Sequence, residues 1–257
     1  MENKFNKLLD IIKTLRGPKG CPWDKEQNLY SLKNHVVEEV FELVEALDRR
    51  DINNIKEELG DLLLHVVMHS VIAEEDKLFS IDDVIELLTK KLIYRHSHVF
   101  GDKKLDNSED VLKHWEIVKE DEKPERKSMM DGIPEGLPSI HKAYKLQRKA
   151  KKAGFDWNET EECLDKMIEE LYEFKDALRN NSKQNIKYEI GDVVFTLINL
   201  SRFLDIDVDE ALRETNRRFQ KRIQYIEDTL QEKGLKFRET EAHILEELWE
   251  SAKKEVK

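Results

Sequence analysis

Apolar side chains recur along the chain at the three- and four-residue spacing of an amphipathic α-helix, not at the alternating spacing of a β-strand. A typical segment has apolar residues at positions 36, 37, 40, 41, 44 and 47. Glycine and proline, which interrupt helices, number only 9 and 5 among the 257 residues, whereas an average protein contains about twice that share. The sequence therefore predicts an all-α fold.

The chain consists of two related halves. Residues 38–42 (EEVFE) recur 131 positions later as residues 169–173 (EELYE), and residues 58–61 (ELGD) recur at the same offset as residues 189–192 (EIGD). Three of the five prolines lie between the halves, within residues 123–138, as is typical of an interdomain linker. We therefore predict a tandem duplication, with an N-terminal domain over residues 1–122, a linker over 123–138 and a C-terminal domain over 139–257.

Each half carries four acidic side chains on two consecutive predicted helices. Residues three apart share one face of a helix, and a polar turn centred at position 50 or 181 joins the two helices of each half into an antiparallel hairpin. The residues that then lie level are Glu39 with Asp61, Glu42 with Glu58, Glu170 with Asp192, and Glu173 with Glu189. The sequence thus predicts two clusters of four carboxylates.

Four carboxylates held together repel one another, and a bound cation removes that repulsion. Mg²⁺ prefers oxygen ligands and also binds phosphate oxygens, so such a cluster indicates chemistry on a phosphate ester or a phosphoanhydride. The alternative interpretation is a solvated acidic face, which a duplicated domain would inherit as readily as a metal site.

The EExxE and ExxD pattern on consecutive helices resembles the MazG family of nucleoside triphosphate pyrophosphohydrolases. The resemblance covers nearly the whole chain and includes residues 20–24 (GCPWD) and 95–102 (RHSHVFGD). It implies two tandem four-helix-bundle-like domains, a homodimer, and hydrolysis of a nucleoside triphosphate to the monophosphate and pyrophosphate. The implied metal is Mg²⁺, with Mn²⁺ as a substitute, and the implied reaction is attack of a metal-associated water on the α-phosphorus. The implied role is the removal of unwanted or damaged nucleotides.

The resemblance also assigns roles to particular residues. The implied metal ligands are Glu170, Glu173, Glu189 and Asp192, with Glu39, Glu42, Glu58 and Asp61 as their first-half equivalents. The implied catalytic residues are Glu169, Glu170 and Glu173; the role given to Glu169 is proton acceptor, and its alternatives are a fifth ligand and a surface acid. The implied substrate-binding residues are Asn216, Arg218, Arg222, Trp249 and Lys253, for which a solvated helix face and ordinary packing are the alternatives.

The two halves differ at the predicted substrate-binding positions. At an offset of 127, Asn216 aligns with Thr89 and Arg218 aligns with Lys91. Lysine keeps the positive charge but lacks the planar fork with which arginine binds phosphate. We therefore predict that the second half holds the main catalytic site and that the first half is weaker, regulatory or structural.

Two histidines follow Asp61 on a similar helix face. They are His65 and His69, and their repeat partners are Thr196 and Leu200. We therefore expect a core or interface role for these histidines instead of metal ligation. The Glu-x-x-His pairs of a di-iron bundle are also missing from the carboxylate helices.

The composition narrows the class of protein. The formal net charge is −11, opposite in sign to the basic footprint of a general nucleic-acid binder. No apolar run approaches the roughly 18–20 residues of a membrane-spanning helix, and the N-terminal segment has helical spacing instead of a signal-peptide pattern. Cys21 and Cys163 are too few for a disulfide framework, so we expect a cytoplasmic protein without membrane or nucleic-acid partners.

Two other functions remain as alternatives. One is a non-catalytic helical nucleotide sensor or adaptor that keeps the metal ligands but does not hydrolyse the nucleotide. The other is a narrow-specificity pyrophosphohydrolase that acts on dUTP or on a phosphoribosyl nucleotide. The expected partners of the main interpretation are a nucleoside triphosphate and a second copy of the chain.

Overall fold

The computed structural model describes residues 2–101, 104–122 and 128–256, and within these ranges every regular element is a helix. The all-α prediction is therefore confirmed. The α-helices are α1 (Glu2–Arg16), α2 (Pro22–Glu26), α3 (Lys33–Arg49), α4 (Ile52–Glu75), α5 (Ile81–Arg95), α6 (Ser97–Phe100), α7 (Ser108–Asp121), α8 (Ser139–Lys152), α9 (Thr160–Arg179), α10 (Lys183–Phe203), α11 (Val208–Glu232) and α12 (Ala242–Glu255). A 3₁₀ turn, Phe237–Glu239, precedes α12. None of the helices in these ranges combines the length and the apolar character needed to cross a lipid bilayer.

The chain divides into two compact units, Met1–Pro124 (unit 1) and Glu125–Lys257 (unit 2). The division falls within the predicted linker. Residues 123–127 of that linker lie outside the described ranges, whereas residues 128–138 contain turns and bends but no regular helix. Two tandem helical units agree with the duplicated sequence, while the bounds 1–122, 123–138 and 139–257 stay predictions.

Unit 1 is organised around its longest helix, α4. Helix α3 packs against α4 as a hairpin, and α1 and α5 also contact α4. The hairpin turn contains Arg50 in the left-handed region, with a φ of 54°. Asp51 then caps α4, because its side chain accepts hydrogen bonds from the backbone N–H groups of Asn53 and Asn54. The buried residues of this unit's core cluster are Ile12, Leu32, Val67, Met68, Val71 and Ile72.

Unit 2 repeats this construction. Helices α9 and α10 form the hairpin, α8 packs against α10 and α11, and α11 pairs with α12. Asn181 has a φ of 50°, and the Ser182 side chain caps α10 by accepting a hydrogen bond from the backbone N–H of Asn185. The two hairpin turns therefore lie at the predicted centres, and the buried cluster between α11 and α12 consists of Ile226, Leu230, Leu248 and Ala252.

Two glycines that align in the repeat follow the first helix of each unit. Gly20, in the GCPWD segment, lies so close to the end of α1 that a Cβ atom would stand 2.0 Å from the Leu15 carbonyl oxygen. Gly154 has a φ of 84°, a left-handed conformation that side-chain-bearing residues rarely adopt. Both positions thus require glycine, although for different reasons.

Many large apolar side chains remain exposed. The chain has a solvent-accessible area of 19330 Å², whereas two separate compact domains of half its mass would expose only about 14,000 Å² together. Exposed apolar residues lie on both carboxylate hairpins, for example Phe41 and Val66 in unit 1 and Ile190 and Val194 in unit 2. Both hairpins thus carry apolar side chains on their solvent-exposed faces as well as in the core.

Candidate metal centre

Three carboxylates converge between α9 and α10 in unit 2. Glu170 and Glu173 from α9 and Glu189 from α10 each place one oxygen within 4.8 Å of the others. Glu170 is buried, with 6% of its surface exposed. The fourth predicted ligand, Asp192, is not part of this group of three, but its charge acts on Glu189. The hairpin thus brings together the acidic residues that its register predicted, with three of the four in closest contact.

Unit 1 contains the corresponding cluster between α3 and α4. Glu39, Glu58 and Asp61 each place one ligand oxygen within 4.8 Å of the others, and Glu42 stays outside this group of three. The residue outside the group therefore differs between the units: it is the last glutamate of EExxE in unit 1 and the aspartate of ExxD in unit 2. The fourth carboxylate of each set still acts on its cluster, since the charge of Glu42 raises the pKa of Glu58 and that of Asp192 raises the pKa of Glu189.

The proton affinities of the clustered carboxylates reflect this crowding. Burial, followed by the charges of Glu173 and Asp192, raises the pKa of Glu189 above its ordinary value. Burial also raises the pKa values of Glu39 and Glu58, together with the charges of neighbouring carboxylates. Raised pKa values mean that the surroundings disfavour the anionic form, and a cation reverses that preference.

The donor sets fit a hard divalent cation. The unit-2 group offers carboxylate oxygens only, the donor type that Mg²⁺ and Mn²⁺ accept most readily. The three side chains come from two helices that only three residues, 180–182, connect, so the short turn holds the two helices side by side. The residues present are thus suited to hold such an ion.

Lys166 is a member of the unit-2 site that the sequence interpretation missed. Its Nζ atom lies 2.9 Å from Glu169 Oε1 and 3.0 Å from Glu170 Oε1. The hydrogen bonds to Glu169 and then to Glu170 raise the pKa of Lys166 above its ordinary value. The Lys-to-Glu spacing of four residues on one helix was the available signal. Glu169, the predicted proton acceptor, is therefore paired with Lys166, and its side chain is 56% exposed.

His65 borders the unit-1 cluster, where a core or interface role was expected. Its Nε2 atom lies 3.9 Å from Glu39 Oε1, and its side chain is 12% exposed. Burial and the neighbouring His69 and His35 lower the pKa of His65, while Asp61 acts in the opposite direction. The Nδ1 atom of His65 is buried and has no hydrogen-bond partner in the described part of the chain. His69 is held differently, since its Nδ1 atom lies 2.7 Å from the His65 carbonyl oxygen.

An aromatic and cationic group lies between α11 and α12 in unit 2. The Arg222 guanidinium carbon and the Lys253 ammonium stand 5.7 Å and 5.9 Å from the centre of the Trp249 ring, and the Phe219 ring centre is 5.5 Å away. Arg222 also donates hydrogen bonds to the Val256 carbonyl oxygen. Three of the five predicted substrate-binding residues are thus neighbours.

The other two predicted substrate-binding residues, Arg218 and Asn216, precede that aromatic group on α11. Arg218 donates a hydrogen bond of 2.9 Å to Thr215 Oγ1 and lies 3.8 Å from a Glu214 carboxylate oxygen. Asn216 is exposed. Both residues lie on α11, one to two turns before Arg222.

The equivalent positions of unit 1 are arranged differently. Arg95, the repeat partner of Arg222, is held by Glu122 through hydrogen bonds of 2.9 Å and 2.5 Å. Trp115, the partner of Trp249, packs against His96 with ring centres 5.1 Å apart, and its Nε1 atom is buried without a hydrogen-bond partner among the described residues. The Lys119 side chain lies outside the described part of the structure. In unit 1 the arginine is thus already bound to an internal carboxylate.

Comparison with known proteins gives the chain a family. A family model described as the MazG nucleotide pyrophosphohydrolase domain matches residues 27–100 and 158–226, which contain both carboxylate hairpins. A Thermotoga maritima protein named nucleoside triphosphate pyrophosphohydrolase/pyrophosphatase MazG is 42% identical over 97% of this chain and 95% of its own length.

Two further relatives match nearly the whole chain. An Escherichia coli K12 protein named nucleoside triphosphate pyrophosphohydrolase is 35% identical over 98% of this chain and 98% of its own length. A Bacillus subtilis protein, uncharacterized protein YabN, is 42% identical over 98% of this chain and 52% of its own length. With one family match in each unit and these full-length relatives, the chain belongs to the MazG family of nucleotide pyrophosphohydrolases and is an enzyme of that class.

Proposed function

We propose that the chain hydrolyses nucleoside triphosphates to nucleoside monophosphates and pyrophosphate, with Mg²⁺ as the metal, and that unit 2 is the main catalytic site. The observation that carries the proposal is the convergence of Glu170, Glu173 and Glu189 within 4.8 Å of one another. The names of the relatives from Thermotoga maritima and Escherichia coli support the choice of substrate and reaction.

The carboxylates of the unit-2 hairpin are the proposed metal ligands. Glu170, Glu173 and Glu189 form the closest group, and Asp192 stands next to Glu189 as the fourth member. A bound Mg²⁺ supplies charge neutralisation for the triphosphate and a lowered pKa for a nearby water. Glu169 is the proposed proton acceptor, and its 56% exposed side chain is open to solvent.

The residues between α11 and α12 are the proposed nucleotide-binding group. Arg222 and Lys253 offer positive charge to the triphosphate, and the Trp249 ring offers a flat face beside them. Arg218 and Asn216 extend this set along α11. Arg222 is suited to the task because, among the described residues, its guanidinium donates hydrogen bonds to a neutral group, the Val256 carbonyl.

Unit 1 is proposed to be the weaker, regulatory or structural half. Arg95 is engaged by Glu122, and Lys91 stands where unit 2 has Arg218. A triphosphate would have to displace an internal ion pair to reach Arg95, which costs binding free energy.

A homodimer is part of the same proposal. The chain exposes about 5,000 Å² more than two separate compact domains would, which exceeds the roughly 1,000–2,500 Å² that each partner contributes to an obligate interface. The exposed apolar faces lie on the hairpins that carry the carboxylates, so a second copy would cover them and exclude water nearby. Light scattering of the purified chain is expected to give the mass of two copies, whereas the mass of one copy would contradict the proposal.

Product analysis tests the proposed reaction. With Mg²⁺ and a panel of ordinary and modified nucleoside triphosphates, equal amounts of monophosphate and pyrophosphate are expected, and a chelator is expected to abolish both. Diphosphate with inorganic phosphate would indicate a different phosphohydrolase, and nucleotide binding without products would indicate the sensor. Turnover of dUTP or a phosphoribosyl nucleotide alone would indicate the narrow-specificity relative. Broad activity on modified nucleotides would fit removal of damaged nucleotides in the cytoplasm.

A further inference from the structure

The two carboxylate clusters differ in the basic group that faces them. In unit 2 the Lys166 ammonium lies 3.0 Å from Glu170 Oε1, and Glu170 is one of the three converging residues. The repeat partner of Lys166 is His35, whose Nδ1 atom lies 3.1 Å from Glu38, a residue outside the unit-1 group. Among the described residues of unit 1, His65 at 3.9 Å is the basic group paired with that cluster.

An ammonium and a divalent ion cannot both occupy the Glu170 carboxylate without repulsion. A metal ion bound among Glu170, Glu173 and Glu189 would stand within a few ångströms of Lys166 Nζ, given the 3.0 Å contact. Like charges at that separation raise the free energy of the bound state. The ammonium therefore opposes metal binding for as long as it stays on Glu170, and its 32% exposed side chain offers a route toward solvent.

The described residues of unit 1 supply no such competitor, because none of their lysines or arginines forms an ion pair with Glu39, Glu58 or Asp61. The unit-1 cluster therefore lacks the partial charge compensation that Lys166, shared between Glu169 and Glu170, gives to the unit-2 cluster. A divalent ion is attracted more strongly to the cluster with less internal compensation.

We propose that Lys166 is a built-in competitor for the metal, so that in nucleotide-free protein a divalent ion fills the unit-1 cluster before it fills the unit-2 cluster. This rests on the proposed function for the metal site of unit 2, and it adds that the corresponding cluster of unit 1 also binds a divalent ion. The ordinary alternative is a helix-stabilising Lys–Glu pair with no effect on metal affinity. The two differ in what removal of the ammonium does to metal binding.

The test is a titration of metal-free, full-length protein with Mn²⁺ in the absence of nucleotide, with free Mn²⁺ measured by electron paramagnetic resonance. Wild type is expected to show two classes of site whose dissociation constants differ by about tenfold. Glu39→Gln is expected to remove the tight class and Glu170→Gln the weak class. Two equal classes, or a tight class lost in Glu170→Gln, would overturn the order of filling.

Variants of Lys166 test the competitor itself. Lys166→Met is expected to lower the Mn²⁺ dissociation constant of the weaker class of site by about tenfold. Lys166→Arg keeps the positive charge, so its Mn²⁺ affinity is expected to stay near that of wild type. Lys175→Met is the matched control, because Lys175 lies exposed on the same helix and its removal changes the net charge equally. If the weaker class of site binds Mn²⁺ no more tightly in Lys166→Met than in Lys175→Met, the proposal is overturned.

The titration also separates this inference from the proposed function. If wild type binds no Mn²⁺ and Glu170→Gln behaves identically, both proposals fail. If wild type binds Mn²⁺ and forms monophosphate and pyrophosphate, but Lys166→Met leaves the Mn²⁺ affinity unchanged and only lowers the melting temperature, the competitor role alone fails.

Discussion

Replacing Glu173 with glutamine is expected to lower kcat for triphosphate hydrolysis by about 100-fold or more, because the metal supplies several kcal/mol of transition-state stabilisation. Glutamine has nearly the same shape as glutamate but carries no charge. The change therefore removes the negative charge of one proposed metal ligand without creating a cavity. Glu173 belongs to the converging group of unit 2. Its side chain is exposed, and the fold should therefore tolerate the change.

The matched control is Glu42→Gln, the same substitution at the repeat position in unit 1. Glu42 is also exposed, and it lies outside the converging group of its unit. We expect kcat to fall by less than about threefold, which corresponds to well under 1 kcal/mol. The rate of pyrophosphate release is measured for both variants and for wild type, and thermal melting shows whether each variant is folded. Lost turnover in Glu42→Gln together with normal turnover in Glu173→Gln would reverse the assignment of the catalytic unit.

The hairpins were predictable because their geometry follows from local sequence. The acidic pairs fix which residues stand level, and the polar residues between them mark the turn. Arg50 and Asn181 occupy the left-handed conformation at these turns, and Asp51 and Ser182 cap the helices that follow. Local hydrogen bonding of this kind is encoded within a few residues.

The exact membership of each carboxylate group was not predictable. Helical spacing places four acidic side chains on facing helices, but rotamers and mutual repulsion decide which three approach most closely. Glu42 stands apart in unit 1 and Asp192 stands apart in unit 2. Sequence periodicity carries no information about such side-chain choices.

Ion pairs between residues that are distant along the chain were also not predictable from the sequence. Glu122 holds Arg95 across 27 positions, and neither residue has a spacing signal that points to the other. Lys166 had such a signal, a glutamate four residues later. In a chain with 39% charged residues that spacing occurs too often to be informative by itself. His65 was judged by its repeat partner, Thr196, and a repeat comparison cannot reveal a feature present in one unit only.

The second large expected effect is the loss of metal binding when a ligand of the unit-2 site is replaced. Mn²⁺ is expected to bind among Glu170, Glu173 and Glu189, because three carboxylate oxygens within 4.8 Å of one another are the donors that a hard divalent ion prefers. Glu170→Gln is expected to abolish that binding, since the amide lacks the negative charge and replaces one of the two carboxylate oxygens with an NH₂ group that cannot coordinate a cation. A surface acidic face would bind Mn²⁺ diffusely and would not depend on one residue.

Anomalous X-ray scattering from crystals grown with Mn²⁺ measures this directly. We expect an anomalous peak within about 2.5 Å of oxygens from Glu170, Glu173 and Glu189, and no such peak in crystals of Glu170→Gln. A wild-type map without a peak between α9 and α10, at Mn²⁺ concentrations that support hydrolysis, would show that these carboxylates do not form the metal site.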